Sequence, residues 1–396
     1  MMELLLYLYI LIVVYLFLKY SRIRTLYIFS PYILIYLNFI FNDAIPFLFF
    51  YPDVPENIQY TTFTAAIINL SFLFLFRKQA QVPISINLPL SSIKLNKKRK
   101  ILLSCFVFFL LWAGVMSGVL INLLRGNNIE DLRRTSEIGV GVIRDIPMLG
   151  IQIIMLVLFL QKTWKCYYKV VAFYSFCLSV FLFLTTGNKG GVLVGVTLFL
   201  LFFHLKKRGF KWYEYVLYYL AMPLAAGTLQ GIRGGDLTLI ASQIAVFFSY
   251  PVILYQANSI PIMNAVGTEN FFWGEEYYTG LVKFIPRFLW PDKPLSFDYK
   301  LKELANYFEG GGIYTTLCND LYINFGYYYF IFYILWLLFI HYLYGMVMDD
   351  KRFYYSRIIA LFIILMGGIA STIGSCEILL LFLLFLILYY SRVKTL

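Results

Sequence analysis

Apolar positions along this chain fall in long unbroken blocks rather than in alternation. The stretches Leu4 to Leu18, Ile101 to Leu124 and Tyr327 to Val347 contain no Lys, Arg, Asp or Glu. A block of roughly 17 to 25 such residues crosses the hydrocarbon core of a bilayer as a helix. Only helices and closed barrels satisfy their backbone groups in lipid, and continuous rather than alternating blocks select helices. Spans are predicted at 2–18, 26–41, 59–76, 101–124, 146–161, 170–186, 191–205, 212–229, 327–347, 358–374 and 378–390.

The stretch from Leu237 to Tyr255 is apolar enough to cross, but its polar residues recur every seven positions. Asp236, Gln243 and Tyr250 form one such series, Ser242, Ser249 and Gln256 another, and Pro251 bends the stretch. A single polar helix face predicts an interfacial or re-entrant helix at the outer surface. The expected fold is all-α, a polytopic integral membrane protein of about 11 transmembrane helices with one long outer-face loop. Its parts are an N-terminal bundle of eight spans over 1–229, the outer loop over 230–326, and three spans over 327–396. A connection that long is usually functional.

Composition agrees with this layout. Of 396 residues, 61% are hydrophobic and 14% charged, more apolar surface than a core of this size hides from water. The net charge of +12 raises nucleic acid as a partner, but the charges are sorted by side of the membrane. Loops 19–25, 77–100, 162–169, 206–211, 348–357 and the tail 391–396 hold 22 of the 33 Lys/Arg and, with Glu214, only three of the 21 acids. That side is the cytoplasm, and the other, where acids exceed bases, is the outer face. The basic run at 94–100 reads as a headgroup and topology anchor, so no nucleic acid is expected.

The five cysteines, Cys105, Cys166, Cys177, Cys318 and Cys376, form no CxxC pair and read as small hydrophobes. The first span lacks an AxA-type cleavage site and runs into Lys19, Arg22 and Arg24, which predicts an uncleaved helix. The two histidines, His204 and His341, belong to no HExxH or paired-Cys set, and no GxSxG elbow occurs. Neither a metal nor another cofactor is therefore expected.

The chemistry concentrates in the outer segment. It carries GIRGGD (Gly231–Asp236), FFWGEEYYTG (Phe271–Gly280), IPRFLWPDKP (Ile285–Pro294) and NDLYINFG (Asn319–Gly326). Glycines around Arg233 let backbone approach a ligand closely, and Trp290 beside Pro291 is a rigid platform next to Arg287 and Lys293. Aromatic faces stack on sugars and Arg forks phosphate, so this mixture suits a sugar carried on a phosphate. Between the sixth and seventh spans, LTTGNKGG (Leu184–Gly191) puts Lys189 at the outer boundary, without the GxxxxGK[ST] spacing of a P-loop. Arg133 and Arg134 of the neutral loop 125–145 are secondary candidates. For each cation of the outer segment alone, snorkelling to the interface is an equally good account.

In LTTGNKGG, GIRGGD, FSYPVILYQ (Phe248–Gln256), IPRFLWPDKP and NDLYINFG, taken in order, the chain resembles the Wzy-type O-antigen and capsule repeat-unit polymerases of bacteria. The likeness extends over the whole length in size and span pattern. Lys189 and Asp320 stand where similar proteins often have Arg and Glu. The resemblance implies a metal-independent membrane glycosyltransferase of the bacterial cytoplasmic (inner) membrane, working at its periplasmic face. Its partners would be membrane lipids, two oligosaccharides linked to undecaprenyl pyrophosphate as donor and acceptor, and a chain-length regulator. Arg233 and Arg287, supported by Lys189 and Lys293, would bind the pyrophosphate leaving group. Asp320 and Asp236 would orient or deprotonate the acceptor hydroxyl, or only pair with the arginines. Trp273, Tyr277, Tyr278 and Trp290 would line the sugar path. Alternatives are a flippase or transporter of the lipid-linked unit, which would carry charges inside its spans, and an O-antigen ligase.

Overall fold

The computed structural model describes residues 2–23, 31–76, 104–105, 170–171, 173–174, 228, 251–282, 285, 289–294, 297–306 and 315–349. The chain divides into two compact units, Met1–Ser85 with Ser249–Leu396, and Ile86–Phe248. In the second unit, the described residues 104–105, 170–171, 173–174 and 228 are helical. The first unit carries all the elements that follow, and its described residues are helical with no strand.

Helix α1 (Met2–Ile23) covers the first predicted span. The second prediction, 26–41, differs. Helix α2 (Pro31–Phe39) passes through a π-turn (Ile40–Ala44) directly into α3 (Ile45–Phe50), with helical dihedrals at both joints. Pro46, near the start of α3, gives the physical reason. Proline lacks an N–H and crowds the carbonyl four residues back, so the preceding turn widens instead of ending. The same device recurs where a π-turn (Tyr255–Ser259) leads into α5 (Ile260–Val266), with Pro261 near its start. Both wide turns bring polar side chains inward, Asp43 in one and Asn258 and Ser259 in the other.

After a tight turn at 51–55, α4 runs from Glu56 to Leu75, close to the predicted 59–76. Glu56 in its first turn complements the helix dipole. Short helices α6 (Glu275–Val282) and α7 (Phe297–Leu304) follow, then α8 (Leu317–Phe325), a single 3-10 turn (Gly326–Tyr328) and α9 (Tyr329–Asp349). The last matches the predicted span at 327–347. Helix α8 lies at the end of the segment expected as an outer-face loop containing interfacial or re-entrant helices. It is capped by Thr316, whose side chain accepts from the Asn319 N–H at 3.3 Å.

Among the described residues, two helices are long and apolar enough to cross a membrane, Glu56–Leu75 and the α8–α9 stretch Leu317–Tyr342. These helices carry large apolar side chains on their exposed faces. On α9 the exposed side chains include Ile331, Phe332, Leu335 and Leu338, and on α1 they include Leu4, Tyr7, Leu8, Leu11, Val14 and Tyr15. The buried positions of α4 mix small and polar residues, Asn57, Thr61, Thr62, Ala65, Ala66 and Asn69, with the apolar Ile58, Phe63, Ile68, Phe72 and Leu73. An apolar exposed face over an interior that admits small and polar residues is an arrangement that lipid can solvate. The small residues let α8 and α9 approach α4 closely, and hydrogen bonds join them: Tyr329 to the Thr61 carbonyl at 2.8 Å and Tyr333 to Asn69 Oδ1 at 2.8 Å. His341 packs its ring on Phe76 at 3.8 Å between centroids, a helix-packing role.

Candidate functional site

Helix α8 is the NDLYINF motif, and every residue from Leu317 to Asn324 is buried. Such polar side chains tolerate burial only when hydrogen-bonded, and here their partners come from distant parts of the chain. Thr61 of α4 donates to Asn319 Oδ1 at 3.1 Å. Tyr322 donates to the Gly267 carbonyl at 3.2 Å. The Phe272 N–H donates to the Ile323 carbonyl at 3.1 Å.

Asn324 sits at the centre. Its Nδ2 donates to the Glu276 carboxylate and, at 2.9 Å, to the Asp320 carbonyl, while its Oδ1 accepts the Glu276 N–H at 3.4 Å. One amide therefore clamps both the backbone and the side chain of Glu276. Glu276 is 1% exposed and Asp320 2%, so two acids lie in the same buried region. A carboxylate withdrawn from water depends on such donors, and hydrogen bonds to charged groups are roughly twice as strong as neutral ones. Beside Glu276, Glu275 forms an ion pair with Lys300 of α7. A third buried acid, Asp43, lies near the Thr316 hydroxyl at the start of α8.

Aromatic rings flank the cluster. Tyr277 stacks on Phe325 at 5.7 Å, and Phe325 stacks on Phe332 at 3.6 Å. Trp273 is 65% exposed and adopts φ +49°, rare for a bulky residue, followed by Gly274 at φ +84°. That turn presents the indole outward, and Tyr278 is also exposed, at 49%. Phe272 packs edge-on to Phe297 at 5.0 Å, tying α7 to this region.

Of the residues singled out in the sequence, Asp320, Trp273, Tyr277 and Tyr278 belong to this one assembly. Trp290 and Lys293 form a turn just before α7, closed by the Lys293 N–H to the Trp290 carbonyl at 3.2 Å. The Lys293 ammonium donates to the Ile285 carbonyl at 3.0 Å. Arg233, Asp236, Arg287 and Lys189 lie outside the described residues. Sequence reasoning passed over Glu276, Asn324, Asn319 and the α4 face of Asn57, Thr61 and Asn69. The last had a legible signal, polar residues at multiples of four positions in an otherwise apolar helix. Among the described residues no group of three or more His, Cys, Asp or Glu is placed to hold a metal ion. No family model, curated protein or solved structure matches the chain.

Proposed function

We propose that this chain is a multi-pass membrane glycosyltransferase that polymerises oligosaccharide repeat units linked to undecaprenyl pyrophosphate, at the outer face of a bacterial cytoplasmic membrane. In this reading about 11 helices span the bilayer and the 230–326 segment works at the outer surface. The observation that carries it is the joining of FFWGEEYYTG to NDLYINFG through Asn324, where the two spanning-length helices meet the outer segment. Buried acids and an outward-facing indole thus occupy one region, which supports a reading of sugar transfer to a hydroxyl.

In the mechanism, Asp320 orients the acceptor hydroxyl and draws off its proton as the hydroxyl oxygen attacks the anomeric carbon of the donor glycan. The bond from that carbon to the pyrophosphate oxygen breaks, and the charge stays on the lipid pyrophosphate. Arg233, Arg287, Lys189 and Lys293 supply the cations that stabilise it. Asp236 is the second candidate for the proton-accepting role. Trp273, Tyr277, Tyr278 and Trp290 stack against the sugars. No metal or nucleotide enters the reaction.

Deletion of the gene followed by glycan electrophoresis tests this. A polymerase mutant retains single repeat units on the cell surface and loses the ladder of longer chains. Loss of the single unit as well would instead identify a flippase or ligase and refute the assignment.

A further inference from the structure

Asn57, in the first turn of α4, is remote in sequence from every motif above, yet its buried side chain reaches the outer segment. Its Nδ2 donates to the Met263 carbonyl at 2.6 Å and to the Gly267 carbonyl at 3.3 Å, and its Oδ1 accepts the Ile58 N–H at 2.9 Å. The Met263 carbonyl also accepts the Gly267 N–H at 2.9 Å, so Asn57 adds a second bond at the end of α5 and reaches the carbonyl of the glycine that closes it. The Gly267 carbonyl also receives the Tyr322 hydroxyl at 3.2 Å, so α4 and α8 hold one peptide from two sides. From that peptide the chain runs on through Phe272, bonded to Ile323, to Glu276, bonded to Asn324.

We propose that Asn57 is a positioning residue of the site: by holding the end of α5 from α4 it sets the register in which the 268–276 segment lies along α8. The register decides where Trp273 is displayed and where Glu276 meets Asn324. The functional half of this inference rests on the polymerase reading. The competing account is local, in which Asn57 serves only the first turn of its own helix through Ile58.

N57D separates the two. A carboxylate still accepts the Ile58 N–H and suits a helix N-terminus, but it has no N–H for Met263 and Gly267 and opposes their carbonyl oxygens. Protonating the introduced carboxyl returns one donor. At neutral pH the full-length N57D protein in lipid nanodiscs should exchange amide hydrogens of 268–276 about five- to thirtyfold faster than wild type, with the α4 amides unchanged. In cells at matched protein abundance, long-chain glycan should fall by a similar factor. Both ratios to wild type should return toward one as the pH is lowered, which a purely structural lesion does not do. Y322F, which removes one of the two donors on Gly267 and leaves α4 intact, should shift exchange in the same segment by a smaller factor.

Unchanged exchange in N57D and Y322F overturns the proposal. So does raised exchange accompanied by a full ladder, or a loss that acid does not reverse. If the deletion strain itself keeps its ladder, the polymerase reading has failed, and exchange alone then decides whether Asn57 holds the segment.

Discussion

Replacing Gly326 by alanine probes the closest approach in the site. Gly326 joins α8 to α9 at φ +58°, ψ −139°, a region that side chains other than glycine rarely occupy. A Cβ there would lie 2.6, 2.7 and 2.9 Å from three ring carbons of Phe271. That ring cannot swing freely, because it meets Tyr322 edge-on at 5.5 Å and Trp273 at 6.1 Å. Gly267 supplies an internal control: its dihedrals are nearly the same, φ +57°, ψ −129°, but the nearest atom to its Cβ is 3.8 Å away. G267A should therefore show backbone strain alone, about 1–3 kcal/mol. G326A adds an overpacking term of about 1–3 kcal/mol. Unfolding of the purified protein by SDS titration in mixed micelles measures both. G326A should be less stable than G267A by at least about 1 kcal/mol, and G326A with F271A should lose less than the sum of the two single losses. Equal losses for the two glycines, or strict additivity with F271A, would refute the steric account and with it the seating of Phe271 on the α8–α9 joint.

Two further outcomes follow from the same geometry. N324D should abolish long-chain glycan and destabilise the protein by about 2–3 kcal/mol, because it replaces a donor to Glu276 with a second carboxylate; E276Q in the same chain should restore much of the stability, and failure to do so would separate Asn324 from Glu276. Y333F should lower stability by about 0.6 kcal/mol, the usual scale for a hydrogen bond between helices in lipid, as it deletes the donor to Asn69; an unchanged SDS midpoint would show that this bond does not hold α9 to α4.

The long apolar runs were legible because a charge-free block of helical length admits few conformations in lipid, and α1, α4 and α9 lie where those runs are. The joint through Asn42 and Asp43 was not. Polar residues followed by Pro46 look like a helix end, whereas the turn widens and the helix continues into α3. The sequence places 317–325 at the end of the outer segment, and the partners of Asn319 and Asn324 are invisible in it. Those partners, Thr61 and Glu276, lie far away along the chain, and periodicity reports only on near neighbours. Within the site, Asp320 and Trp273 were identifiable from residue type in the outer segment. Glu276 and Asn324 needed the pairing of two motifs that no spacing rule connects.

The polar interior also explains why these helices meet in one register. In the proposed membrane setting the hydrophobic effect supplies little preference for one alignment over another, since lipid tails are as apolar as leucine. Slipping α9 along α4 by one turn would keep its apolar face in lipid but separate Tyr329 from the Thr61 carbonyl and Tyr333 from Asn69. It would also pull Asn319 from Thr61 at the α8 end. Leaving such groups unbonded inside the bundle costs more than each bond contributes when made, so the alternatives are penalised more than the native alignment is favoured. Because α8 carries both Asn319 and Asn324, the bonds that choose the helix register also deliver Asn324 to Glu276. Substitutions in this cluster should therefore weaken stability and activity together unless they exchange donor and acceptor while preserving the bond, as the paired N324D and E276Q change does.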